Sequence, residues 1–301
     1  MIAFDLGSNT LRIVQYDPNT CQRIKSYEKI VRTAKDLHQT HRIGEEALEN
    51  IVNALREASM IFDFKAHKTF CVTTQAMRVA SNANDVLAHL RTHFELDFEI
   101  ISGEKEAYLT SLAIEHALNR EGFNAHTYAL FDLGGGSTEI ILCHEGTKKT
   151  HSFPFGIVST AERFAYDIVR GVEETLLSVD PFVALHPAIP NTYKQLVATA
   201  GTPTTVAAFL KGLDYAHYNA EKINGTCLHI HDFTDAYGQL SAMDYQEAER
   251  YTGTNRRDLV IVGILLCVGI MKKLGFAQCI VMDDGLREGV ALSNCNKAVS
   301  F

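Results

Sequence analysis

Short apolar runs alternate with amphipathic stretches along this chain, and the alternation predicts its elements in order. Residues 2–30 read as three antiparallel strands, with Asp17-Pro18-Asn19-Thr20 as the second turn. Ala47, Ile51, Leu55 and Ala58 recur at three- and four-residue spacing, which predicts a helix over 44–62. A strand over 68–74, a helix over 82–93, a strand over 98–102 and a helix over 104–117 follow. The polar stretch 118–127 reads as a linker. Beyond it, the apolar runs Tyr128-Ala129-Leu130 and Ile140-Ile141-Leu142 flank three glycines and predict a hairpin. Next come a strand over 148–155, a turn at Gly156 and a helix opening over 159–166. Residues 167–193 start helical and are broken by Pro181, Pro187 and Pro190. A strand over 195–200 feeds a loop over 201–205, and the alternation His229-Ile230-His231 puts both imidazoles on one face of a strand. A pair of imidazoles invites zinc, but no third ligand suggests itself. Residues 259–271 are apolar apart from Gly263 and Gly269 and read as a buried helix, too short for the roughly 20 residues that cross a bilayer. A strand over 278–282 and a turn at 283–285 lead into the last helix.

Two of these segments are copies. Phe4-Asp5-Leu6-Gly7 returns as Phe131-Asp132-Leu133-Gly134, and at the same offset the strand Phe70-Cys71-Val72 falls on Val197-Ala198-Thr199. One domain plan used twice explains both matches. In each copy a hairpin with Asp and Gly comes first and a strand–loop comes later.

The turn Gly134-Gly135-Gly136-Ser137 carries the first chemical signal. Without side chains its backbone can take φ > 0 and lie close to a bound group. Successive exposed N–H groups in such a turn form a concave site for phosphate oxygens. Asp132 and Glu139 flank the turn and offer carboxylates to a metal ion. An ordinary glycine hairpin is the alternative, and the second, similar turn Gly7-Ser8-Asn9-Thr10 after Asp5 weighs against it.

Net charge is −8, so no overall basic field recruits a polyanion, and a nucleic acid is not expected as the main partner. Attraction for phosphate has to be local or supplied by a divalent metal. Hydrophobic content of 46% and charged content of 21% suit a globular protein with a sizeable core. The seven cysteines include no CxxC pair, and reduced thiols are expected. No basic leader precedes the first strand. These features lead us to expect a cytoplasmic protein with no membrane partner.

The motifs Asp5-Leu6-Gly7-Ser8-Asn9-Thr10, Ile101-Ser102-Gly103-Glu104-Lys105-Glu106-Ala107, Asp132 to Glu139, Ala200-Gly201-Thr202-Pro203-Thr204-Thr205 and Asp284-Gly285-Leu286-Arg287-Glu288-Gly289 stand in one order along the chain. In that order they resemble the exopolyphosphatase / guanosine pentaphosphate phosphohydrolase family, within the actin, sugar-kinase and heat-shock-chaperone superfamily. The resemblance implies an α/β fold of two ribonuclease-H-like domains, a duplicated actin-like ATPase fold flanking an interdomain cleft. The first would hold residues 1–122 with a C-terminal helix over 286–301, and the second residues 123–285. It implies Glu106 as catalytic base, with Arg32 and Arg78 on substrate phosphate. Without the resemblance, Arg78 is an exposed helix residue, Arg32 part of a solvated loop, and Glu104 and Glu106 carboxylates favoured at a helix N-terminus.

Phosphates would be held by Gly7, Ser8, Asn9, Thr10, Gly134, Gly135, Gly136, Ser137, Gly201 and Thr202. Mg²⁺ would sit near Asp5, Asp132 and Glu139. The implied reaction releases terminal phosphate from inorganic polyphosphate or from pppGpp, which gives ppGpp. The chain ends at Phe301 and so resembles the short, two-domain form of the family, for which distributive cleavage of long polyphosphate is expected. A homodimer is compatible with this. A kinase of the same fold and an alarmone-binding sensor with little catalysis are the rival readings. The first would need an organic acceptor, and the second would have no use for a base at Glu106.

Overall fold

The structure is a computed structural model that describes residues 1–295, so residues 296–301 of the expected C-terminal helix lie outside it. The chain divides into two compact units, Met1–Ala113 with Asp284 onward, and Ile114–Asp283. In the first, β1 (Ile2–Leu6), β2 (Thr10–Tyr16) and β3 (Arg23–Ile30) precede the single-turn α1 (Leu37–Thr40) and α2 (Glu45–Ser59). Then come β4 (Thr69–Thr73), α3 (Gln75–Val79), α4 (Ala83–Phe94), β5 (Phe98–Ile100) and α5 (Gly103–Arg120).

The second unit holds β6 (Thr127–Leu133), β7 (Thr138–His144), β8 (Thr147–Phe153), α6 (Ile157–Arg163), α7 (Ile168–Leu176), α8 (Asp180–Leu185), α9 (Ile189–Thr192) and β9 (Leu196–Thr199). It continues with α10 (Gly201–Leu210), α11 (Ala220–Ile223), β10 (Thr226–His229), α12 (Ile230–Ala242), α13 (Tyr245–Thr252), α14 (Arg257–Leu274) and β11 (Gln278–Val281). The helix α15 (Leu286–Leu292) belongs to the first unit.

The first sheet runs β3-β2-β1-β4-β5, and the second runs β10-β11-β9-β6-β7-β8. Taken from its other edge, the second sheet repeats the first and adds β10, antiparallel to β11. The copy extends to register. Asp5 pairs with Arg12 and Asp132 with Glu139, while Leu6 pairs with Leu11 and Leu133 with Thr138. In the parallel ladders Asp5 lies against Val72 and Asp132 against Thr199. The offset seen in two sequence matches is therefore a register shared by both sheets. A slip by one residue would turn every side chain to the wrong face, so such agreement fixes the two layouts tightly.

Each unit has its own core. In the second, Phe131, Val206, Phe233, Leu266, Cys267 and Ile270 are all fully buried. The apolar run forms α14 as expected. Its glycines let neighbours in, since a Cβ on Gly263 would sit 2.1 Å from Thr202 Oγ1. In the first unit, Leu286, Val290, Ala291 and Leu292 of α15 pack with Ala3, Val14, Tyr16 and Leu109. The first turn of α15 is polar and buried. Glu288 is fully buried, caps the helix by accepting from Gly285 N–H at 3.0 Å, and accepts from Arg287 Nε at 2.6 Å. Burial, with Glu288 and then Asp284 nearby, pushes the Tyr16 phenol up.

Several elements differ from the sequence reading. The units divide inside α5, whereas the sequence places the division at the polar stretch after residue 117. Ala117 and Leu118 are fully buried, and Arg120 ends the helix. Pro181 and Pro190 open α8 and α9, because a missing N–H is harmless in a first turn. The expected loop 201–205 is the start of α10. His229 and His231 do not share a strand face, since β10 ends at His229 and His231 lies in the first turn of α12. Asp232 accepts from His229 N–H at 2.7 Å and so starts that helix. The two rings still stack, 5.1 Å apart. Among the described residues no group of three His, Cys, Asp or Glu side chains could hold a metal, and no helix is long and apolar enough to cross a membrane.

The tightest contact of α15 is at Gly289, where a Cβ would fall 1.9 Å from the carbonyl oxygen of Leu109 on α5. Alanine gains about 1 kcal/mol over glycine inside a helix. Here that gain is lost to a backbone clash that no rotamer relieves. Gly289→Ala is expected to destabilise the chain by about 2 kcal/mol or more, read as a lower urea midpoint.

Candidate functional site

The β1–β2 turn, residues 7–10, is closed by Gly7 N–H donating to Thr10 O at 3.0 Å. Its outward carbonyls are tied to the chain after β3. Asn9 O accepts from Val31 and Arg32 N–H, both at 2.9 Å, and Ser8 O accepts from Ala34 N–H at 2.8 Å. Arg32 holds this bond from the left-handed region, at φ 53°. The structure thus puts the Arg32 backbone against the turn.

The β6–β7 turn, residues 134–137, has the same plan. Gly134 N–H donates to Ser137 O at 3.0 Å. Gly134 O accepts from Ile157 N–H at 3.0 Å, and Gly135 O from Val158 N–H at 2.8 Å and Ser159 N–H at 3.2 Å. The start of α6 is therefore satisfied by the turn's carbonyls. Gly156 makes this possible, since a Cβ there would meet Gly134 O and Gly135 C at 2.5 Å. Gly7 and Gly134 do not occupy the left-handed region that the sequence reading invoked for the glycine turn; a Cβ on Gly134 would crowd Ser137 O at 3.0 Å, while one on Gly7 would meet only ordinary contact, 3.4 Å from Thr10 O. The N–H groups of Ser8, Asn9, Gly135 and Gly136 donate to no acceptor among the described residues. Both turns thus spend carbonyls on the protein and leave amide hydrogens for an anion.

The carboxylates divide between the units. Asp132 and Glu139 stand opposite each other on β6 and β7 and so project from one face. Glu139 is 1% exposed and accepts from Ser152 Oγ at 2.7 Å, while Asp132 is half-buried. Two carboxylates with one open to solvent fit a hard divalent cation that keeps most of its waters. Asp5 has a different neighbour: in the first copy the position opposite it is Arg12, which pairs with Glu28 at 3.1 Å. The cross-strand pair of carboxylates therefore lies in the second copy.

Arg78 and Glu106, which the sequence keeps 28 residues apart, meet in an ion pair at 2.9 Å with side chains 18% and 10% exposed. Arg78 also donates to Ile101 O at 2.8 Å and to Gln75 Oε1 at 3.0 Å. Its Nη2 is buried without a partner. A guanidinium held by three bonds with one arm unspent is a prepared donor for an oxyanion. Glu106 sits in the first turn of α5, with its N–H on Ser102 O at 2.9 Å.

Gly201 and Thr202 are placed differently from the loop reading. Both are in the first turn of α10, and Thr202 is 1% exposed, packed where α14 carries Gly263. Its hydroxyl serves helix packing. The hydroxyls of Thr204 and Thr205 fold back onto Gly201 O at 3.2 and 2.6 Å. Sequence reasoning read Gly156 only as a turn, and it missed Ser152 and Arg12. A glycine directly after a strand hinted at Gly156; the others act only through cross-strand neighbours.

A duplicated sheet of this order, with a glycine-led turn after the first strand of each copy, defines an actin-like ATPase fold. The chain belongs to the Ppx/GppA phosphatase family, whose model matches residues 12–298. It is 24% identical to a bifunctional 3-dehydroquinate synthase/phosphatase of Fusobacterium nucleatum, over 96% of this chain and 46% of that protein, so it spans about half of that relative. A Ppx/GppA family member from Aquifex aeolicus superposes with a TM-score of 0.70 at 25% identity, covering 97% of this chain and 96% of that one. An exopolyphosphatase from Cytophaga hutchinsonii gives 0.81 at 23% identity, covering 96% and 95%.

Ala200, which joins β9 to α10, has φ 79° and ψ −174°, a conformation reserved almost wholly for glycine. Strain there amounts to roughly 1–3 kcal/mol. Glycine would relieve it and give back roughly 0.5–1 kcal/mol in chain entropy. Ala200→Gly is therefore expected to stabilise the protein by about 1 kcal/mol, measured by urea unfolding, against the usual sign for that exchange.

Proposed function

We propose that the chain hydrolyses the terminal phosphoanhydride bond of inorganic polyphosphate or of pppGpp. The observation that carries this reading is the pair of turns whose carbonyls are bound and whose N–H groups are unspent. Membership of a phosphatase family, and the exopolyphosphatase among the structural relatives, support it. Glu106 takes a proton from water as the water oxygen bonds to the terminal phosphorus. The bridging P–O bond breaks, and the shortened chain leaves with its electron pair. Arg78 presents Nη2 to the phosphate, and a turn of this kind holds non-bridging oxygens through its backbone N–H groups. Bound Mg²⁺, held through Asp132 with Glu139 behind it, would neutralise phosphate charge. Phosphoryl transfer needs mainly such positioning and charge stabilisation.

The deciding experiment measures phosphate release from polyphosphate, pppGpp, ATP and GTP, each with Mg²⁺ and with EDTA. Release from polyphosphate or pppGpp that EDTA abolishes is expected. Tight pppGpp binding without release would show a sensor instead.

Variants separate the roles. Glu106→Gln is expected to lower kcat by about 10²–10⁴ while the protein stays folded. Arg78→Ala is expected to raise KM by roughly 10-fold or more, because it removes a charge-assisted contact.

Asp132→Ala is expected to raise the Mg²⁺ concentration that gives half-maximal rate, and a magnesium titration at saturating substrate reads this directly.

A further inference from the structure

Two cysteines at opposite ends of the sequence meet in the first unit. Cys21 lies in the turn between β2 and β3, its N–H on Asp17 O at 2.9 Å. Cys295 follows α15, its N–H on Leu292 O at 3.2 Å. Both thiols pack against one apolar cluster that includes Met1, Tyr16 and Leu292. The two thiols lie near enough for Cys21 to perturb Cys295. Residues beside them, Asp17, Pro18 and Asn294, line one cavity of about 490 Å³. Both thiols are partly exposed, whereas Cys71, Cys143, Cys267 and Cys279 are buried.

We propose that Cys21 and Cys295 form a reversible disulfide when the protein meets a peroxide, a modification site that staples the β2–β3 turn to the segment after α15. Burial, then the neighbouring Cys21 thiol, push the Cys295 thiol up to about 12, so Cys295 keeps its proton. Cys21, as thiolate, attacks one peroxide oxygen. The O–O bond breaks, hydroxide leaves, and Cys21 becomes a sulfenic acid. The Cys295 sulfur then bonds to the Cys21 sulfur, and the sulfenic oxygen leaves as water with the Cys295 proton. Overall, one peroxide is reduced to two waters and two thiols are oxidised to one disulfide. A dithiol reductant reverses it. The closed loop takes in nearly the whole chain, the case in which a cross-link most restricts the unfolded state.

The test treats the native full-length chain with hydrogen peroxide, alkylates the remaining thiols and maps peptides by mass spectrometry. A Cys21–Cys295 linked peptide, lighter by two hydrogen atoms than the sum of its parts and lost with dithiothreitol, is expected. The oxidised chain should run faster on a denaturing, non-reducing gel, and its Tm should rise by roughly 5–10 °C. Cys21→Ser and Cys295→Ser should each abolish both changes. Should either variant fold poorly, the wild-type peptide map alone decides. Peroxide that oxidises the exposed Cys227 while Cys21 and Cys295 remain free, or that takes Cys21 to a sulfinic acid beside a free Cys295, would overturn the proposal. So would linkage of either cysteine to a different partner.

Discussion

The second unit depends on one approach of backbone to backbone. Gly156 lies so close to residues 134–136 that no side chain fits between them. That closeness brings the start of α6 within hydrogen-bonding range of the carbonyls of Gly134 and Gly135. A helix N-terminus has orphan donors, and a tight turn has orphan acceptors. Here each satisfies the other. The turn is held from behind, so its amide hydrogens face away from the protein's own acceptors. The first unit reaches the same result with an irregular segment, residues 31–34, in place of a helix.

The two copies share their register and differ in charge. Opposite the first-strand aspartate stands Arg12 in one copy and Glu139 in the other. An acid facing a base is close to neutral, whereas two acids on one face favour a cation between them. Around a common frame, one copy thus carries paired carboxylates on one face. The other gained the Arg78–Glu106 pair, which rests on α3 and α5 and has no counterpart in the sequence motif of the second copy.

Much of this frame was legible in the sequence, because strands and glycine turns announce themselves locally. The hairpins, the 127-residue copy and the buried α14 all follow from period and composition. The misses share a cause. Gly201-Thr202-Pro203 looks like a loop until the hydroxyls of Thr204 and Thr205 are seen bonding back into a helix turn. His229 and His231 alternate like strand residues, yet Asp232 caps a helix between them. The Arg78–Glu106 contact and the Ser152–Glu139 contact join residues that no local pattern connects. The site residues were legible as types, while their pairing was set by three-dimensional neighbours.

The unspent donors of both turns belong to the main chain, and that bears on heredity. A codon change at Ser8 or Asn9 to any residue but proline alters a side chain and leaves the amide hydrogen in place. Under the proposed function such a grip is robust to mutational drift: lineages can vary the residues around it, and with them the molecule that carries the phosphate, without surrendering the hold on phosphate itself. Its weak points are the tethers behind the turns, at residues 31–34 and at Gly156, where a single substitution can reshape the backbone.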